Sequence, residues 1–83
     1  MERSEIQNLI LDEIKKVKKD MPDLIHPDDN LIEVWGFESI DMAELVARAE
    51  QYFKIEIPDS IWRQLVTVNS ITDYIYGHSK TSG

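Results

Sequence analysis

No cysteine occurs in this chain of 83 residues, so neither a disulfide framework nor a thiolate site contributes to it. Glycine and proline are scarce, three of each, which leaves few points where the backbone is forced to turn. No apolar run approaches the roughly 20 residues that a membrane-spanning helix needs, so no membrane span is expected. Basic residues are few: nine stand against sixteen acids, and the net charge of -7 repels nucleic-acid phosphates. The one dense basic cluster, Lys15-Lys16 and Lys18-Lys19, closes a helical pattern, where a helix C-terminus favours cations. No nucleic-acid partner is expected. The opening Met1-Glu2-Arg3-Ser4-Glu5 lacks the basic and apolar regions of a secretory signal, and the expected location is cytoplasmic.

Hydrophobic residues at 42% with charged ones at 30% describe a globular chain rather than a disordered one. The length suits one small domain, residues 1–83, expected to be a monomer, with a frayed tail from about Gly77. Ser4-Glu5-Ile6-Gln7 has the form of a capping box, and Ile6, Leu9, Ile10, Ile14 and Val17 make an apolar stripe up to about Asp20. A long loop from Met21-Pro22 to Phe37 follows, with Leu24, Ile25, Leu31, Ile32 and Val34 expected to point inward; loops of this length tend to be functional. A second helix is predicted from Ser39 to about Tyr52, with Ile40, Ala43, Val46, Ala49 and Phe53 as its apolar face. Lys54 to Ile57 alternates like a strand but has no partner segment, and is taken as an extended connector. Pro58 opens a short third helix to about Leu65, and Thr67 caps a fourth whose Val68, Ile71, Tyr74 and Ile75 face inward. The predicted fold is all-α: a small four-helix bundle, three longer helices and one short, with a long loop between the first two.

The segment Gly36-Phe37-Glu38-Ser39-Ile40-Asp41 sets a lone serine between acids where the loop gives way to a helix. Ser is a favoured N-cap, which accounts for the serine by itself. Catalysis is not expected, because the segment has no Gly-x-Ser-x-Gly elbow and no matched histidine with an orienting acid. Nor is a metal site. Asp28-Asp29-Asn30 lacks the alternating ligands, glycine and terminal glutamate of a calcium loop and suits a turn, while His26 and His78 lie far apart in sequence. Trp35 and Trp62 fit either half-buried packing or an exposed anchor at an interface.

Gly36 to Asp41, Glu44-Leu45-Val46, Phe53-Lys54-Ile55-Glu56-Ile57-Pro58-Asp59 and Thr67 to Ile75, in this order and spacing, resemble the acyl carrier protein family over roughly residues 4 to 76. The resemblance implies that Ser39 receives 4'-phosphopantetheine through a phosphodiester, and that the thiol of that arm carries acyl groups between enzymes of fatty acid or polyketide-type biosynthesis. It implies as partners a phosphopantetheinyl transferase and acyl-loading, synthase and acyltransferase enzymes. An acidic chain suits basic docking surfaces on these partners, with Glu38, Asp41 and Glu44 as the contacting residues. Glu38 stands where the family usually has Asp, keeping the charge and adding a methylene. The alternative is a chain that keeps the fold without the arm and acts as an acidic interaction module, with Ser39 only a helix cap.

Overall fold

Isoleucines one helical turn apart put a continuous apolar ridge on the first helix, and burying that ridge sets the architecture. The computed structural model describes residues 1–22 and 24–79. Helix α1 runs Arg3–Val17, and its Ile6, Ile10 and Ile14 are almost wholly buried. Against it pack α4 (Val68–Ser79), through Val68, Ile71 and Ile75, and α2 (Ser39–Phe53), through Met42, Leu45, Val46 and Ala49. A single turn, α3 (Asp59–Trp62), lies between α2 and α4 in the chain. The four helices are the only regular elements among the described residues, and no strand occurs there, so the connector Lys54–Ile57 pairs with no strand, as predicted; its first residue, Lys54, is not extended but the left-handed C-cap of α2, with φ of 56°.

Several boundaries differ from those predicted, each for an identifiable reason. The capping box of α1 is formed by Glu2 and Glu5, with Glu2 N–H donating to Glu5 Oε1 at 3.1 Å, so Ser4 is already inside the helix. That helix stops at Val17, where Lys18 turns to extended backbone. Helix α3 ends at Trp62 rather than Leu65, and Pro58 caps it rather than opening it. Thr67 does cap α4: its Oγ1 accepts the Ser70 N–H at 3.0 Å, while Ser70 Oγ accepts the Thr67 N–H at 3.1 Å. Helix α4 continues through Gly77 to Ser79, past the expected start of the tail; the rest of that tail, residues 80–83, lies outside the described residues.

The largest departure concerns apolar residues expected inside. Of the five loop residues expected inside, only Leu31 is buried; Ile25 is half-buried, whereas Leu24, Ile32 and Val34 face solvent. On α2, Ile40 is 72% exposed and Ala43 is exposed, and the buried face is shifted to Met42, Leu45, Val46 and Ala49. The exposed members of both sets, Leu24 apart, fall close in sequence to Ser39.

Glu13 is a buried charge, only 7% exposed, that gave no sign in the sequence. Its carboxylate accepts from Lys16 Nζ at 2.9 Å and from Arg48 of α2 at 3.4 Å, so an interhelical ion pair compensates its removal from water.

Candidate functional site

Ser39 is positioned by two buried anchors in the loop before it. Leu31 has no exposed surface, and its N–H donates to Val66 O at 2.8 Å, tying the loop to the segment between α3 and α4. From there the chain makes one helical turn, with Asn30 Oδ1 accepting the N–H groups of Ile32 and Glu33 at 2.9 and 3.0 Å. The turn ends at Gly36, whose φ of +75° is a left-handed conformation that side chains resist and glycine tolerates. The reversal lets Phe37 N–H reach Leu31 O at 3.0 Å and drives the Phe37 ring into the core. Two residues later the chain emerges at Ser39.

The cap of α2 is Glu38, not Ser39. Glu38 N–H donates to Asp41 Oδ2 at 2.9 Å in a capping box, and Ser39 is the first helical residue. Its side chain is exposed, and its hydroxyl has no hydrogen-bond partner among the described residues. The cap therefore accounts for Glu38 and Asp41 and leaves the serine oxygen available.

The three acids named beside the serine play different parts. Glu38 is exposed; Asp41 is half-buried and engaged by the Glu38 backbone. Glu44 is exposed and accepts from Arg48 Nε at 3.2 Å, an i,i+4 pair on the helix surface worth about 0.3–0.5 kcal/mol. Glu50, further along α2, accepts the Ile57 N–H at 2.8 Å and so holds the connector that leads to α3. Glu38 at the N-cap and Asp41 in the first turn of α2 lie where the helix dipole favours negative charge.

A cleft of about 290 Å³ opens at the serine, lined by Ile32, Ser39, Met42, Trp62 and Arg63. It lies between the loop, the start of α2 and the end of α3, not among the core faces of α1, α2 and α4. Trp62 is half-buried, with its indole N–H on Asp59 Oδ1 at 3.0 Å; Trp35 is half-buried too, bonded to Asp29 Oδ2 at 3.3 Å. Ile32, Arg63 and the exposed Ile40 were not foreseen here. Ile40 did carry a signal, since Met42, Leu45 and Ala49 offer a second helical register that excludes it.

The remaining candidates resolve into structural roles. Asp28 Oδ1 accepts from Asn69 Nδ2, Asp29 holds Trp35, and Asn30 starts the turn already described. His26 Nδ1 accepts the Asp28 N–H at 3.1 Å, and His78 stacks on Tyr74 with ring centroids 3.9 Å apart. Among the described residues, no three His, Asp or Glu side chains come together as a metal-ligand set, and no helix is long and apolar enough to cross a membrane.

Residues 4–75 match the family model described as "phosphopantetheine attachment site". The chain is 35% identical over 75 residues to the acyl carrier protein of Campylobacter fetus subsp. fetus, covering 86% of this chain and 97% of that protein. It is 32% identical over 76 residues to the acyl carrier protein of Campylobacter hominis, covering 92% of this chain and 91% of the other. With the acyl carrier protein of Cyanidioschyzon merolae it shares 39% identity over 57 residues, 69% of this chain and 63% of that one.

Proposed function

This chain belongs to the acyl carrier protein family, a family of non-catalytic carriers with a covalent phosphopantetheine, and we propose that Ser39 is the residue that bears the arm. The observation that carries the assignment is the serine hydroxyl itself: exposed, unpaired among the described residues, and at the first position of α2, because Glu38 and Asp41 form the cap. The surroundings fit the group. The adjoining cleft has an apolar wall of Ile32, Met42 and Trp62 and a cation, Arg63, suited to the root of the arm, where an anionic phosphodiester is followed by an apolar gem-dimethyl carbon before the hydroxyl and amides begin.

Attachment joins Ser39 Oγ to the phosphorus of the phosphopantetheine moiety of coenzyme A, and the bond to the adenylate side breaks as 3',5'-bisphosphoadenosine leaves. The serine proton goes to a base of the transferase, since no described side chain of this chain is hydrogen-bonded to Oγ to take it. Once bound, the arm supplies a thiol on which acyl groups travel as thioesters. Ser39 anchors it, and the first turn of α2 fixes the direction in which it leaves.

The partners of this reading are the transferase and the enzymes that load, extend and unload acyl groups in fatty acid or polyketide-type synthesis, docking with basic surfaces on Glu38 and Glu44. Asp41 adds charge to the same corner while holding the cap. A monomer acting in the cytoplasm completes the proposal, supported by a cysteine-free chain that asks nothing of an oxidising compartment.

Incubation with a phosphopantetheinyl transferase and coenzyme A, followed by intact mass and peptide mapping, tests the assignment. One arm is expected, on Ser39, and none on Ser39→Ala. An arm on Ser39→Ala moves the site; a wild type that stays unmodified with several transferases leaves an unmodified interaction module instead.

A further inference from the structure

The chain contains three arginines, and two have acids. Arg3 Nε donates to Asp73 at 2.7 Å, and Arg48 binds both Glu13 and Glu44. Arg63 has no ion pair among the described residues, although the chain carries sixteen acids. Its guanidinium carbon lies 5.9 Å from the centroid of the Trp62 ring. The acid nearest in the sequence, Asp59, is engaged by the Trp62 indole N–H instead. Both Arg63 and Trp62 line the cleft that Ser39 lines.

We infer that Arg63 is the binding residue for the phosphodiester at the root of the arm, and that the cleft wall of Trp62, Met42 and Ile32 takes the apolar portion that follows. The inference rests on attachment at Ser39 and deepens it: the arm has a docked position on this chain's own surface. Three observations point the same way. A guanidinium is planar, stays charged and presents a fork of donors that matches phosphate oxygens. Glu38 and Asp41 beside the serine repel an added negative charge, and Arg63 is the cation placed in the same cleft to offset them. Finally, the wall is apolar on an otherwise acidic protein, with Met42 closing its floor from the buried face of α2.

Docking of this kind competes with release of the arm to partner enzymes, so Arg63 tunes how much of the time the thiol is free. The exposed pairing is screened by salt. Raising the ionic strength from about 0.1 M to about 1 M shortens the screening length from about 10 Å to about 3 Å, which should loosen the arm without touching the fold.

The test uses the intact chain before and after arm attachment, with the product checked by mass. The readouts are the Trp62 indole N–H signal and the phosphorus resonance of the phosphodiester, compared in wild type, Arg63→Gln and Arg63→Lys. Attachment is expected to shift the Trp62 signal in the wild type. The shift should fall by at least half in Arg63→Gln and at high salt, and persist in part in Arg63→Lys. Circular dichroism should show all three folded alike, because Arg63 is exposed. An arm present at Ser39 that leaves the Trp62 signal unmoved, or moves it equally in wild type and Arg63→Gln, overturns the docked arm and leaves the attachment site intact. Failure of any arm to attach overturns both.

Discussion

Ile10 and Ile40 are the same side chain on two neighbouring helices, the first with no exposed surface and the second 72% exposed, one residue past the serine. Around Ile10 the polar groups are closed off. Asn69 Oδ1 accepts from Arg3 and Gln7 of α1 and its amide donates to Asp28, so one residue ties α1, α4 and the loop together. Around Ile40 the reverse holds: Ile32, Val34 and Ile40 face water, and among the described residues the Ser39 hydroxyl has no hydrogen-bond partner and the Arg63 guanidinium no ion pair. Apolar surface is removed from water wherever the fold can remove it, at roughly 25 cal/mol per Å². Its retention around one hydroxyl fits the proposal that this corner is where partner enzymes meet the chain.

The contrast makes graded predictions. Ile10→Ala should lower unfolding stability by about 2–5 kcal/mol, because a filled core site cannot collapse fully around the missing atoms. For a domain of this size each kcal/mol corresponds to roughly 4–8 °C in Tm, so thermal melting resolves the change easily. A loss below about 1 kcal/mol would show the α1 ridge to be less tightly packed than its burial indicates.

Gly36→Ala comes next, at about 1–2 kcal/mol, the usual penalty for a side chain in left-handed backbone. A Cβ there meets no atom within 4 Å, so the cost is conformational and Gly36→Asn should recover much of it. Chemical denaturation of the pair measures this. Equal loss for Ala and Asn would mean that something other than the backbone angle is at fault.

Asp41→Ala should cost about 1 kcal/mol through the capping box. It should also slow arm attachment, since Ser39 then sits at a frayed helix end. Melting curves and a modification time course report the two effects separately. If the modification rate follows the wild type while stability falls, the cap does not position the serine.

The smallest stability effect belongs to Ile40→Ser combined with Glu44→Lys. Both residues are exposed, and the pair should move stability by less than about 0.5 kcal/mol. Association with a transferase should nevertheless slow at low ionic strength and recover partly with salt, as stopped-flow measurement would show. Unchanged association with both substitutions in place removes this corner as the docking surface.

What the sequence made legible was local. The period of Ile6, Ile10 and Ile14 identifies α1 because every turn repeats it, and Thr67 with Ser70 announces the start of α4. The errors share a cause in competition between near-equivalent readings. Both α1 and α2 are capped by a glutamate followed three residues later by an acid, but serine is the better N-cap on average, so Ser4 and Ser39 drew the assignment. On α2 two apolar registers overlap, and only the position of α1 chooses the one containing Met42 and Leu45. The serine itself was legible from its neighbours. Arg63 and the Glu13–Arg48 pair were not, because each acquires meaning from a residue more than 20 positions away.

The placement of Ser39 one position inside the cap also bears on how such a chain changes over generations. Its hydroxyl contributes nothing visible to the fold, so replacing it leaves a protein that folds, persists and keeps its acidic surface. Selection for stability has no hold at this position, and on the proposed attachment at Ser39 the serine is retained for the arm alone. A carrier of this design therefore stands one codon away from a stable, armless binding protein, whose origin would leave no scar elsewhere in the structure.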